Sequence, residues 1–261
     1  MTILDEIAGK TRIRIAEQKK KLPLEAVRKQ AEALRSETGF PFEQALEKSG
    51  VSFICEVKKA SPSKGVIAEE FPYLQIAKEY EAAGADALSV LTEPFYFQGE
   101  NAFIQEITKE VKIPVLRKDF TVDEYMIYEA KILGASAVLL ICSILEQEQL
   151  KAYQDLAWEL GLSALVEAHT EEEIRMALST DARVIGVNNR DLKTFQVDIK
   201  NSIRLRKMVP QDVLYVSESG IKTAEDIRAL QENHTNGVLI GETLMRSPDK
   251  KKMLDKLKEI G

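Results

Sequence analysis

A lysine or glutamate at the end of a buried β-strand is unfavourable unless charge is used there. In this chain Glu56 and Lys58, then Lys118, Glu167 and Glu218, each end a short apolar, strand-like stretch, and Asn188 ends another. Strands alternate faces, so Glu56 and Lys58 share a side with Ile54 while Phe53, Cys55 and Val57 share the other. The same parity groups Lys118 with Leu116, Glu167 with Leu165, Asn188 with Gly186 and Glu218 with Val216. If these strands are neighbours, ammonium, carboxylate and carboxamide groups converge on one partly desolvated cavity. Acids and bases sharing a cavity push one another's pKa values apart, which suits general acid–base chemistry near neutral pH. The alternative is a ring of satisfied salt bridges closing the sheet end, which explains any one of these residues better than all of them together.

The elements that must position these residues repeat along the chain. The spacing predicts strands over residues 53–58, 87–91, 114–118, 137–141, 163–167, 184–188, 213–218 and 237–240, each followed by a pattern of helical period. EAAGADALSVL and AKILGASAVLL share one grammar, a helix, a glycine, a short turn and a strand, with Gly84 and Gly134 as helix ends. Such alternation over 261 residues predicts a single α/β domain, residues 1–261, folded as a (β/α)8 TIM barrel. Chemistry in that architecture belongs to the carboxyl ends of the strands, where the charges fall. Residues 1–50 precede the first strand and read as a helical extension, with Ile3, Leu4, Ile7 and Ala8 at helical spacing and Leu24, Val27, Ala31 and Leu34 again after Pro23. Lys19, Lys20 and Lys21 read as a solvated helix face rather than an anion site.

Two further groups sit on turns after strands. Ser219–Gly220 follows the seventh stretch and Gly241–Glu242–Thr243 the eighth, the loops that in many barrels aim backbone N–H groups at a phosphate. SPSKG after the first stretch adds a hydroxyl and a lysine; tight turns alone would also explain the glycines. Phe97 with Leu139 offers a wall for an aromatic ring, whereas Phe95 and Tyr96 read as core or loop anchors.

Composition excludes several classes. With 44% hydrophobic and 30% charged residues the chain can bury a large core, and its net charge of -6 argues against nucleic-acid binding. The start, MTILDEIAGK, lacks a basic region followed by an apolar core, and AVLLICSIL is too short to span a bilayer, so no membrane role and a cytoplasmic location are expected. Cys55 and Cys142 have no ligand spacing around them and read as buried reduced thiols; no metal site is expected.

In order, CEVKKASPSKG, LTEPFYFQG, VLRKDF, LVEAHT, GVNNRDL, SESGI and IGETLMR resemble indole-3-glycerol phosphate synthase of bacterial type, a barrel enzyme of tryptophan biosynthesis, over nearly the whole chain. The resemblance implies a lyase that closes a ring on an anthranilate-linked deoxyribulose phosphate, losing carbon dioxide and water, without a cofactor. It implies Lys118 as the general acid on the ribulose carbonyl, Lys58 as holder of the carboxylate, Glu167 as acid–base partner in dehydration, and Glu56 as orienter of the lysines. Asn188, Arg190, Glu218 and Ser219 would position the sugar hydroxyls; Ser61, Gly220, Gly241 and Glu242 would cradle the phosphate; Pro62, Phe97 and Leu139 would hold the aromatic ring. The extension would lie over the barrel mouth. A monomer is expected, with contacts to other tryptophan-pathway enzymes left open. Some members carry a basic residue at Ala60 and a small one at Glu242, whose carboxylate would repel phosphate if it pointed inward. Lys58 beside Lys118 is expected to lower the pKa of the donor. Rival readings are another phosphate-binding barrel, such as phosphoribosylanthranilate isomerase or a histidine-pathway cyclase, and a sugar-phosphate sensor without turnover.

Overall fold

The strand stretches pair side by side and close on themselves. In the computed structural model, which describes residues 2–191 and 194–259, the barrel strands are β1 (Ser52–Val57), β2 (Ala87–Leu91), β3 (Val115–Lys118), β4 (Ala137–Ile141), β5 (Ser163–Ala168), β6 (Val184–Asn188), β7 (Leu214–Glu218) and β8 (Gly237–Ile240). Leu192 of the quoted GVNNRDL motif lies outside the described residues. Each strand pairs in parallel with the next in sequence, and β8 closes onto β1 through Ser52↔Gly237 to Cys55↔Ile240. β1 ends at Val57, so Lys58 stands just past the strand.

Strands buried on both faces read as nearly continuous apolar runs because helices cover one face and the barrel interior the other. Ile54, Leu116, Leu165 and Val216 form the interior with Ala87, Ala137 and Val184, while Phe53, Cys55, Val57, Val138 and Val166 face the helices, as strand parity requires. Among the described inward-facing strand residues charge appears only in the last layer, while Arg117 of β3 faces the helices and pairs with Glu129. Cys55 and Cys142 are buried and unbridged, and burial pushes both thiols above their ordinary range. No helix among the described residues is long and apolar enough to cross a membrane.

The first fifty residues do not form one cover. Helix α1 (Ile3–Lys21) begins in a capping box made by Thr2 and Asp5, and its first turns bring Ile3, Leu4 and Ile7 to the carboxyl-end mouth. Its 19 residues carry the chain about 28 Å, and Arg14 clamps Asp119 with two bonds of 2.9 Å on the way. Helix α2 (Leu24–Glu32) packs on the helix Glu124–Ile132, with Arg28 Nε donating to the Tyr128 hydroxyl at 3.0 Å. Helix α3 (Pro41–Leu46) lies at the opposite end, where Phe42 and Leu46 are wholly buried against Ala87, Val184 and the start of β8. The barrel floor is apolar and would face water without them. Only the start of the extension therefore stands at the mouth.

Candidate active site

The carboxyl ends of the strands enclose a cavity of about 720 Å³. Its wall includes Glu56, Lys58, Ser61, Pro62, Phe97, Lys118, Leu139, Glu167, Asn188, Arg190, Glu218, Ser219, Gly220, Gly241 and Glu242, so the residues expected to act on or hold the substrate all reach one space. Lys118, from the end of β3, lies at the centre. Its Nζ is 2.9 Å from Glu167 Oε2 on β5 and 3.4 Å from Glu218 Oε2 on β7. Asn188 Nδ2 donates to Glu167 Oε1 at 3.3 Å, and Asn188 Oδ1 accepts from the Arg190 backbone N–H at 3.0 Å. Lys58 pairs with Glu56, two residues back on the same inward face.

The two glutamates beside Lys118 titrate in opposite directions. Burial raises Glu218, the Lys118 charge only partly offsets this, and the carboxylates of Glu167 and Glu56 push it further, up to about 8. For Glu167 burial also raises the pKa, but the Lys118 charge and the bonds from Lys118 and Asn188 outweigh it and hold the group below its ordinary value. The arrangement thus drives apart the acidities of two carboxyl groups that share one ammonium. Lys118 does not behave as expected from a neighbouring lysine. Burial works against its charge, yet Glu167, Glu218 and Glu56 outweigh burial and hold it above the ordinary lysine range. Lys58 is engaged with Glu56, so the carboxylates decide the balance around Lys118.

Close approach of these groups explains two glycines. A Cβ on Gly186 would meet Glu218 Oε1 at 2.2 Å, and one on Gly241 would meet Glu56 Oε1 at 2.3 Å and Lys58 Nζ at 2.9 Å. Glu218 Oε1 is buried without a hydrogen-bond partner among the described residues.

One rim is built from loop backbone. Ser219 and Gly220 both take left-handed conformations, at φ 69° and 87°. Gly241 opens the short helix Glu242–Met245, and Thr243 Oγ1 donates to the Ile221 carbonyl at 2.9 Å, tying the two loops together. Ser61 joins from a short antiparallel pairing of Ala60–Ser61 with Gly65–Val66. The Glu242 carboxylate is held by Arg246 at 3.1 Å and Lys64 at 3.7 Å, so cations offset its charge.

Another part of the lining is apolar. Phe97 and Phe120 have ring centroids 6.0 Å apart at 40°, beside Leu139, Pro62 and the first turns of α1. Tyr96 anchors its loop, with its hydroxyl donating to Glu6 at 2.5 Å and accepting from Lys10 at 2.7 Å. Phe95 is 57% exposed, which corrects its reading as a core residue or anchor, because the loop is fixed by backbone instead. The buried Glu93 carboxylate accepts from the N–H groups of Phe95, Tyr96 and Phe97 at 2.9, 2.7 and 3.0 Å.

The sequence model described as indole-3-glycerol phosphate synthase matches residues 4–257. The chain belongs to the indole-3-glycerol phosphate synthase family. It is 55% identical to the indole-3-glycerol phosphate synthase of Ruminiclostridium cellulolyticum over 256 residues, covering 98% of each chain. It is 51% identical over 257 residues to that of Endomicrobium trichonymphae, covering 98% of this chain and 100% of the other. Among solved structures, KGPDC from Streptococcus mutans superposes with a TM-score of 0.63 at 10% identity, covering 81% of this chain and 97% of the other. Thiamine phosphate pyrophosphorylase from Pyrococcus furiosus does so at 0.58 and 14%, covering 80% and 94%. At those identities the superpositions speak to the barrel alone.

For this indole-3-glycerol phosphate synthase family member, sequence reasoning missed the residues that support the site. Phe120 follows Lys118 by two positions and was read only as part of a motif, although an aromatic just past a strand end is a pocket signal. Glu93 and Asp119 carried no pattern, since each works through backbone or a distant helix. Gly186 was readable in principle, because glycine inside a strand often marks a close approach.

Proposed function

We propose that the protein converts a carboxyphenylamino-deoxyribulose phosphate to indole-3-glycerol phosphate, carbon dioxide and water. The observation that carries this reading is Lys118 paired with both Glu167 and Glu218 in a cavity lined by the Ser219–Gly220 and Gly241–Glu242 loops and by aromatic rings. Phosphate at Ser219–Gly220, Gly241–Glu242 and Ser61, with the ring against Pro62, Phe97, Phe120 and Leu139, would hold the two reacting ends of one flexible molecule together. Such positioning removes much of the entropic barrier.

Ring closure joins an aromatic carbon to the ribulose carbonyl carbon. As that bond forms, the carbonyl oxygen gains negative charge and takes a proton from the Lys118 ammonium. The aromatic carbon that attacks bears the carboxylate; loss of carbon dioxide returns the bonding pair to the ring. Lys58, positioned by Glu56, holds that carboxylate until it leaves. Dehydration then removes the new hydroxyl as water: Lys58 supplies the proton with which it leaves, and Glu167 takes the proton lost from the adjacent ring carbon. Asn188, Arg190, Glu218 and Ser219 orient the sugar hydroxyls. Three carboxyl groups around Lys118 keep it charged until substrate enters, and reaching the carbonyl requires the ammonium to exchange one of them for substrate. The α1 residues at the mouth exclude water from these charges and strengthen their interactions.

The test is turnover. Purified protein mixed with this substrate should yield the indole chromophore and an equal amount of carbon dioxide. Substrate that binds and returns unchanged would overturn the proposal.

A further inference from the structure

Behind the Ser219–Gly220 turn lies a buried polar network that touches none of the reacting groups. Asn189, 2% exposed, is at its centre. Its Nδ2 donates to Ser217 Oγ and to the Ser219 carbonyl, both at 3.0 Å, and its Oδ1 accepts from Ser202 N at 3.0 Å and Ser202 Oγ at 2.7 Å. A carboxamide has two donor hydrogens and two acceptor sites, so every one is used. Ser217 Oγ donates to Ser202 Oγ at 2.8 Å, and the Tyr215 hydroxyl donates to the Ser202 carbonyl at 2.8 Å, giving one consistent order of protons. The Asn189 backbone is engaged too, donating to the Glu218 carbonyl at 2.9 Å and accepting from Asp198 N at 3.0 Å.

This wiring joins three elements. Asn189 follows β6, Ser202 lies in the helix Lys200–Leu205, and Ser217 to Ser219 run from β7 into the turn. Ser219 has φ 69°, a conformation unfavourable for a residue with a side chain, and something must hold it. The amide bond to its carbonyl is suited to do so. We infer that Asn189 is a positioning residue for phosphate recognition, locking the Ser219–Gly220 turn with its backbone aimed at the ligand without touching it. The inference rests on the reading of that turn as the phosphate cradle.

The experiment compares wild type with Asn189→Ala, using inorganic phosphate as the competing probe and substrate with and without its phosphate group. Wild type should be inhibited competitively by phosphate. In a variant folded by circular dichroism, the phosphate inhibition constant should rise at least about tenfold, the size expected when a buried group loses paired hydrogen-bond support. Turnover of phosphorylated substrate should fall by a similar factor, while the weak turnover of phosphate-free substrate should change little. A folded variant with unchanged phosphate inhibition, or an equal loss on both substrates, would overturn the positioning role. If Asn189→Ala does not fold, Ser202→Ala removes only the hydroxyl that steadies Asn189 Oδ1 and should show the same selective loss at about threefold; no selectivity there overturns the inference. Absence of phosphate competition in wild type would instead overturn the cradle reading, and the inference with it.

Discussion

Glu167 and Glu218 have the same side chain at the same depth, and their surroundings drive them apart. Glu218 carries a pKa of about 8 in the folded chain against an ordinary 4.5, so the folded state holds a proton that the unfolded state releases. Stability contributed by this group is therefore present below about pH 4.5 and lost as pH rises through about 8. Glu167 works the other way: its contribution is present above its unfolded pKa and is lost as pH falls through its lowered folded value. Lys118, with its pKa raised, loses its contribution only as pH rises beyond the ordinary lysine range. Among these three groups the window from about pH 5 to about pH 8 thus belongs to Glu218. Glu218→Gln keeps the shape and removes the titration, so its urea midpoint should gain on wild type between about pH 5.5 and about pH 8.5. A constant difference would show that Glu218 is not protonated in the folded site. Strand parity alone was enough to place both glutamates in the mouth. It could not give the direction for Lys118, which depends on how many carboxylates reach it and on Lys58 being engaged with Glu56.

At the scale of elements, the strands and their following helices were legible because period two and period 3.6 alternate cleanly, with glycines at helix ends. The division of labour among the first three helices was not. Helix α3 has only six residues, too few to show a period, and its task depends on an apolar floor that exists only once the barrel closes. The turn conformation at Ser219 was equally hidden, since serine gives no sign of a positive φ. Two truncations separate the helices. Removing residues 2–22 takes away the mouth contacts of Ile3, Leu4 and Ile7 and the Arg14–Asp119 clamp; a folded barrel with KM raised at least about tenfold is expected, because the site opens to water. Removing residues 2–46 also strips Phe42 and Leu46 from the floor, where losing one buried aromatic side chain costs about 3–5 kcal/mol. The second truncation should lose its cooperative unfolding transition or aggregate. Size exclusion, thermal melts and steady-state kinetics check both, and an α1 deletion with unchanged KM and kcat would show that the helix takes no part in the site.

For the molecule as a whole, the barrel separates duties along its axis. The inner layers of the barrel are apolar and carry stability, and the charges that face its interior gather at one end, where loop backbone, aromatic rings and ion pairs meet in a single cavity. Membership of the indole-3-glycerol phosphate synthase family and the arrangement of that cavity lead to one central claim, that Lys118 delivers the proton on which ring closure depends. A single-turnover experiment tests it directly, using substrate isotopically labelled at the ring carboxyl and following label release together with indole fluorescence, in wild type and in Lys118→Ala. Wild type should release one labelled carbon dioxide for each indole product, and the variant, still folded, should do both at least about a hundredfold more slowly, the loss expected for a positioned general acid. Label release and indole formation at the wild-type rate in Lys118→Ala would contradict the account.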